Sequence, residues 1–234
     1  MQQRHRHILS PSWTGSMTAG AALALVLATL LMVFADERVM RAIMASHSPI
    51  IAGMREITDV GKSNWYLFPS LILFLITAFL DWSAWKYRAK AWALRLFGQS
   101  AYLFGSVAVS GIMVNILKIP IGRARPKMID SLGPVHFEPF AGGYDFASMP
   151  SGHSTTMGAV AMVLMIWFPK LRWLVLPLFL VFAATRMAAQ AHYPSDTVIG
   201  FALGLLYALF LARWLGRRGV VFRIAPGRLL PKIR

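Results

Sequence analysis

The sequence predicts an all-α integral membrane protein with six transmembrane helices, and three observations lead to this prediction. Hydrophobic residues make up 57% of the 234 residues and charged residues only 14%. The apolar residues form long blocks, whereas a soluble core produces short alternating runs. Positive charge is concentrated in alternate segments between the blocks. The chain has no linker, repeat or low-complexity tract, so we expect residues 1–234 to form one membrane-embedded domain.

Three blocks without a charged residue are long enough to cross about 30 Å of hydrocarbon as helices. They hold 19, 18 and 22 residues and cover residues 17–35, 63–80 and 96–117. Arg4 and Arg6 precede the first block, as in a secretory signal peptide. That block exceeds the usual apolar region of about 7 to 15 residues, so we expect it to be a retained span.

Three further spans complete the set of six, at residues 151–168, 171–185 and 197–212. His153 interrupts the first of these, and Arg172 lies near the start of the second. Six crossings place both termini on the same side of the membrane.

The segment between the first two spans contains two groups of apolar residues at helical spacing. The groups are Val39, Met40, Ile43 and Met44, and then Ile50, Ile51, Met54 and Ile57. This pattern is typical of short amphipathic helices that lie in the membrane interface. Short helices that pack onto the bundle as a cover are an equal alternative. Under the six-span topology, both alternatives place the segment on the outer face of the membrane.

The formal net charge of +15 has a topological explanation under this arrangement. Fifteen of the 24 Lys and Arg residues fall on the side of the termini; the other side holds nine, with eight of the nine acidic residues. The positive-inside rule predicts this asymmetry for cytoplasmic loops, so the charge implies no nucleic-acid partner. We expect cytoplasmic termini and, in a bacterial host, a protein of the inner membrane. The absence of cysteine excludes disulfides and thiolate metal sites.

Two outer loops carry the polar residues that suggest chemistry, and the first covers residues 118–150. Its many Pro and Gly residues predict an irregular backbone. It begins with a basic cluster of Lys118, Arg123, Arg125 and Lys127. Guanidinium groups match phosphate oxygens and an ammonium adds a compact charge, so the cluster suits a bound phosphoryl group. Anchoring to lipid headgroups is the alternative.

The end of this loop predicts a helix start at Pro150-Ser151-Gly152-His153. Ser151 is a plausible N-cap, and Gly152 permits close approach of the backbone. The free N–H groups and dipole of a first helical turn favour an anion, which His153 would adjoin. A capping serine beside a histidine that faces headgroups is the alternative.

The second outer loop, residues 186–196, joins Arg186 to His192 and Asp196. A neutral imidazole can attack phosphorus when one ring nitrogen is free and the other is held as a donor. Asp196, four residues after His192, is the candidate to hold it. A simple helix cap with an interfacial histidine is the alternative.

The predicted topology brings these three clusters to one membrane face. Phosphoryl transfer needs cations that neutralise the phosphoryl oxygens, an in-line nucleophile and a proton for the leaving oxygen. Together the clusters supply each of these groups, although each cluster alone has an ordinary structural explanation.

The three clusters resemble the signatures of the type 2 phosphatidic acid phosphatase superfamily, in the family's order and spacing. They are Lys118 with Arg125-Pro126, then Pro150-Ser151-Gly152-His153, and then Arg186 with His192 and Asp196. Thr185 stands where the family usually has serine, which preserves a hydroxyl. The resemblance covers residues 118–196.

The resemblance implies a role for each residue. His192 is the nucleophile that forms a phosphohistidine, Asp196 orients it, and His153 donates a proton to the leaving group. The phosphate is bound by Lys118, Arg125, Arg186 and the backbone at Ser151 and Gly152. No metal ion or other cofactor is implied. Arg123 and Lys127 lie outside the signatures, so we expect headgroup contacts at most from them.

We therefore expect hydrolysis of a lipid phosphate or diphosphate at the periplasmic membrane face, with undecaprenyl diphosphate as the leading substrate. Lipid A, phosphatidylglycerol phosphate and phosphatidate are alternative substrates, because the sequence does not rank the helix surfaces that contact lipid tails. Lipid-to-lipid phosphotransfer and a non-enzymatic lipid carrier are alternative functions. The expected partners are a membrane lipid substrate and the bilayer; the sequence does not determine the oligomeric state.

Overall fold

The computed structural model describes residues 11–225 and 227–234, and the side chains from residue 15 onward within these ranges. Arg4 and Arg6, which entered the predicted topology, lie outside the described residues. The described chain is mostly helical. Its elements in order are α1 (Pro11–Phe34), α2 (Asp36–Ala45), α3 (Pro49–Glu56), α4 (Asn64–Phe79), α5 (Tyr87–Ile121), α6 (Ile129–Leu132), α7 (Gly152–Trp167), α8 (Arg172–Ala188), α9 (Pro194–Arg217), β1 (Phe222–Arg223) and β2 (Lys232–Ile233).

Four helical segments of the described chain are long and apolar enough to cross a membrane. They are Gly15–Phe34, Tyr87–Ile121, Pro169–Ala188 and Pro194–Arg217. Helices α4 and α7 have 16 residues each, or roughly 24 Å at 1.5 Å per residue. This is shorter than the hydrocarbon core of about 30 Å. The helical membrane architecture is thus confirmed, and the count of six spans stays a prediction.

Helix α5 is much longer than the predicted span of residues 96–117. Its first turns carry charged residues, so the apolar block marks only the part of the helix that suits a bilayer. The helix ends at Gly122, whose φ of 58° is left-handed and whose N–H donates to Lys118 O at 2.9 Å. The irregular loop therefore starts four residues later than predicted, and Lys118 lies on the last helical turn.

Helix α7 lies at the centre of the bundle and is buried along most of its length. It packs most extensively against α9. A Cβ atom added to Gly158 or Gly204 would fall on a backbone carbonyl of the facing helix, and one added to Gly200 would fall on the Ser151 carbonyl. These small residues let the two backbones approach closely, which is a common packing mode in membrane proteins. The contact fixes the start of α7 against the start of α9.

The segment between α1 and α4 contains short helices, as the apolar spacing predicts. Helix α2 buries Met40 against Ile129 and Tyr193, so it packs onto the outer loops. Helix α3 has no buried residue, and a 3-10 turn, Ile57–Gly61, follows it. For α2, this packing favours the alternative of a short helix that covers the bundle.

The long outer loop is irregular, as predicted, apart from a 3-10 turn at Pro126–Met128 and the short α6. At the other end of the bundle, β1 and β2 pair in antiparallel fashion after α9. Phe222 of β1 is buried against Tyr102 of α5, with ring centroids 4.8 Å apart. Tyr102 is 16 residues from Lys118, or roughly 24 Å along α5, so the hairpin is remote from the three polar clusters described above.

Candidate active site

The predicted site residues come together where α5 and α8 end and where α7 and α9 begin. Lys118 lies on the last turn of α5, Arg186 on the last turn of α8 and Asp196 on the first turn of α9. Ser151 is the N-cap of α7, and its N–H donates to Asp196 O at 3.1 Å. Four helix ends thus place residues that are distant in the sequence in one cluster.

His192 is buried in the loop between α8 and α9. Its Nδ1 lies 2.7 Å from the Ser148 carbonyl oxygen and 3.8 Å from Asp196 Oδ2. A carbonyl can only accept, so this contact favours the tautomer with hydrogen on Nδ1 and a lone pair on Nε2. Burial lowers the pKa of His192 to about 4, although the Asp196 carboxylate opposes this shift. The imidazole is therefore neutral near pH 7, with Nε2 available as a nucleophile.

The contact from Asp196 to His192 is longer than predicted, because the carboxylate is held by other groups. A distance of 3.8 Å is too long for a hydrogen bond. Asp196 Oδ2 instead accepts from the Ser148 hydroxyl at 2.6 Å and from the Tyr193 N–H at 2.9 Å. Ser148 thus contacts both groups, since its carbonyl accepts from His192 and its hydroxyl donates to Asp196.

Arg123 is a buried structural residue, and the expectation of a headgroup contact is wrong. Its guanidinium is fully buried and bonds to Asp196 Oδ1 at 2.6 Å and to Asp36 Oδ2 at 2.7 Å. It also donates to Ser195 Oγ and to the Pro134 carbonyl. The two outer loops and α2 surround this side chain, which removes it from the headgroup region. Lys127 does remain partly exposed.

Arg125 lies between the two outer loops. It donates to the Ala191 carbonyl at 3.0 Å and to the Tyr144 carbonyl at 2.8 Å. The Tyr144 ring covers the guanidinium at 3.7 Å, and its hydroxyl lies 3.2 Å from Arg125 Nη1. Arg125 and Lys118 also donate to the same acceptor, the Ala147 carbonyl, at 3.3 and 2.5 Å. The two predicted phosphate ligands therefore converge.

Arg186 and His153 complete the cluster beside the 3-10 turn Ile57–Gly61. Arg186 Nη1 donates to Thr58 Oγ1 at 3.2 Å, and Arg186 Nε has no hydrogen-bond partner in the described chain. His153 Nε2 is likewise buried without a partner there, and the His153 ring packs on Gly61. Each side chain thus has a polar atom whose hydrogen-bonding capacity is not used within the described chain.

The electrostatics of the cluster suit an anion. The positive charges of Lys118, Arg125 and Arg186 repel one another across the site. Helix α7 begins at Gly152, so its first turn adds the unpaired N–H groups of a helix N-terminus. A phosphate group would relieve this repulsion and satisfy these donors. In the described residues, no group of three His, Asp or Glu side chains is placed to hold a metal ion.

Sequence reasoning did not single out several residues of the site. Asp36, Thr58, Tyr144 and Ser148 received no role, and Arg123 received the wrong one. Asp36 directly follows an apolar span, a position in which a charged residue is as consistent with exposure at the membrane interface as with burial. The contacts of Tyr144 and Ser148 depend on the fold of the long loop, which no local pattern encodes.

Comparisons with known proteins agree on a single family. The profile described as the PAP2 superfamily matches residues 99–219. A lipid A 1-phosphatase from Rhizobium johnstonii is 38% identical over 174 residues, covering 73% of this chain and 70% of that protein. A lipid A 1-phosphatase from Rhizobium etli is 38% identical over 187 residues, covering 76% of this chain and 79% of that protein.

A solved structure has the same fold. It is the crystal structure of a transmembrane PAP2-type phosphatidylglycerolphosphate phosphatase from Bacillus subtilis. The match has a TM-score of 0.58 at 22% identity and covers 91% of this chain and 98% of that one.

Proposed function

The chain belongs to the PAP2 superfamily and is a membrane lipid phosphatase, and from this premise we propose that it removes the 1-phosphate of lipid A. The two rhizobial relatives support this substrate, because each aligns with most of this chain. They give no specific support to undecaprenyl diphosphate, which was the leading substrate expected from the sequence. We therefore rank lipid A first and keep undecaprenyl diphosphate, phosphatidylglycerol phosphate and phosphatidate as competing substrates to be tested.

The observation that carries the proposed mechanism is the environment of His192. Its Nδ1 contacts a carbonyl at 2.7 Å, its imidazole is neutral near pH 7, and the positive charges of Lys118 and Arg125 act on it. These features support His192 as the nucleophile, and the mutual repulsion of Lys118, Arg125 and Arg186 supports these three as the phosphate ligands. The start of α7 at Gly152 would add a backbone N–H, whereas the predicted Ser151 N–H already donates to the Asp196 carbonyl.

The proposed reaction has two displacements at phosphorus. His192 Nε2 attacks the phosphorus atom, the bond from phosphorus to the leaving oxygen breaks, and His153, in its protonated form, donates its proton to that oxygen. Water then attacks the phosphohistidine, its proton passes to His153, and the P–N bond breaks to release inorganic phosphate. Asp196 stabilises the positive charge that the His192 ring acquires in the first step. No step in this scheme requires a metal ion.

The test of the mechanism is phosphate release by purified protein in detergent with EDTA present. Wild-type protein should release phosphate, and His192→Ala should abolish release, because the nucleophile is lost. His47→Ala is the matched control, since His47 is exposed on the outer segment before α3. Full activity in His192→Ala would refute the assignment of the nucleophile.

The substrate is tested by a panel of lipid phosphates compared by kcat/KM. Lipid A should be the best substrate, and only its 1-phosphate should be removed. A higher kcat/KM for undecaprenyl diphosphate or phosphatidylglycerol phosphate would overturn this choice. A doubly phosphorylated lipid without free phosphate would instead indicate phosphotransfer from the phosphohistidine.

We also propose six spans, cytoplasmic termini and a periplasmic active site in a bacterial inner membrane. The charge asymmetry of the loops supports this topology. The chain has no cysteine, so single cysteines can be introduced without background. In intact spheroplasts, an impermeant maleimide should label His47→Cys and should not label Ser83→Cys, two exposed positions in successive loops. The opposite labelling pattern would invert the topology.

A further inference from the structure

Three charged side chains form a buried array behind His192. Asp36, Arg123 and Asp196 are each 0% exposed. Arg123 bridges the two carboxylates, with Nη2 2.7 Å from Asp36 and Nη1 2.6 Å from Asp196. The array joins three segments that are far apart in the sequence, namely α2, the loop after α5 and the start of α9.

Asp36 also contacts the start of α9 directly. Its Oδ1 accepts from the Ser195 N–H at 3.0 Å, and its Oδ2 accepts from the Ser195 hydroxyl. The Ser195 N–H belongs to the first turn of α9, where a helix lacks internal acceptors. Asp36 therefore acts as an N-terminal cap supplied by another helix. It fixes the turn that carries Asp196.

The charge of the array bears on the reaction proposed for His192. Two carboxylates and one guanidinium leave a net charge of −1 behind the imidazole, whereas Lys118, Arg125 and Arg186 lie on the phosphate side. If Asp36 were uncharged, Arg123 would neutralise Asp196 and the net charge would be zero. The imidazole becomes cationic when it bonds to phosphorus, so a negative array favours the transition state over the ground state.

We propose that Asp36 and Arg123 are positioning residues that keep Asp196 in place and keep the array negative as the phosphohistidine forms. This inference rests on the proposed role of His192. It assigns to α2, a helix outside the family signatures, a direct effect on the chemical step. It also predicts that the effect falls on kcat, because neither residue faces the phosphate ligands.

The first test is Asp36→Asn, which keeps an acceptor for the Ser195 N–H and removes the charge. We expect kcat to fall about tenfold or more with KM changed less than about twofold, and phosphoenzyme formation in rapid-quench experiments to slow in parallel. Glu37→Gln is the matched control, because it makes the same chemical change at an exposed position one residue away. It should keep wild-type kcat. Wild-type kcat in Asp36→Asn would overturn the inference and leave the proposed function intact.

Asp36→Glu distinguishes the charge from a purely structural contact. It restores the negative charge, so we expect kcat to return to within about threefold of wild type. A Glu variant as slow as the Asn variant would show that the charge is not what matters. If Asp36→Asn does not yield folded protein, Arg123→Lys tests the positioning role alone, because it keeps the net charge of the array whereas an ammonium cannot bridge two carboxylates as a guanidinium does. Arg123→Lys should lower kcat and not raise KM, and an unchanged kcat there would overturn the inference.

Discussion

Replacement of Arg123 by Met should destabilise the protein strongly. Methionine fills much of the same volume and removes the guanidinium, which makes four hydrogen bonds in the described chain. Asp36 and Asp196 would then remain buried without their cation. Removal of one partner from a buried ion pair costs about 3–5 kcal/mol. At about 2–4 °C per kcal/mol for a chain of this size, Tm should fall by about 6–20 °C.

Arg41→Met is the matched control for this prediction. Arg41 also contacts two carboxylates, those of Glu37 and Asp130, and its side chain is 52% exposed. Exposed pairs contribute little to stability because water screens them, so Tm should stay close to that of the wild-type protein. Thermal unfolding of both variants in the same detergent, followed by circular dichroism, measures the difference. Equal Tm values for the two variants would refute the argument that the burial of the array makes Arg123 structurally critical.

Three further predictions concern groups around His192. Ser148→Ala removes the hydroxyl bond to Asp196 and should lower the free energy of unfolding by about 1.5–3 kcal/mol. Because the Ser148 carbonyl still accepts from His192, activity should stay well above that of His192→Ala, and a loss of activity as large as in His192→Ala would contradict this. Burial lowers the pKa of His192 to about 4, so the contribution of His192 to kcat/KM, which reports the free enzyme, should stay constant down to pH ~5 and fall to half near pH 4. An acid limb near pH 6.5 would show that burial does not control the nucleophile. Tyr144→Ala should raise KM about 2- to 30-fold because the ring over Arg125 is lost, whereas Tyr144→Phe keeps the ring and should leave KM unchanged. Equal KM values for the two variants would exclude a role for the ring.

The sequence alone determined the membrane character, the family and the chemical class. Long uncharged blocks need a hydrocarbon environment, and this requirement is local, so composition and block length were sufficient. The family and the enzymatic activity expected from Lys118, His153 and His192 are confirmed by the comparisons. Helix ends were predicted less well. The uncharged block ends at residue 117 and therefore predicts a loop from Lys118, whereas the helix continues to Ile121.

Only the tertiary structure decided which groups surround the nucleophile. The contacts of His192 with Ser148 and of Arg123 with Asp36 and Asp196 join residues 44, 87 and 73 positions apart. No local periodicity encodes such pairs, because they depend on how the long outer loop folds over the start of α9. For the same reason Arg123 could not be distinguished by sequence from a headgroup contact. A cation next to a membrane span has the same sequence pattern whether it contacts lipid headgroups or is buried in the protein. Arg123 becomes buried between two carboxylates only because α2 and both outer loops pack around it.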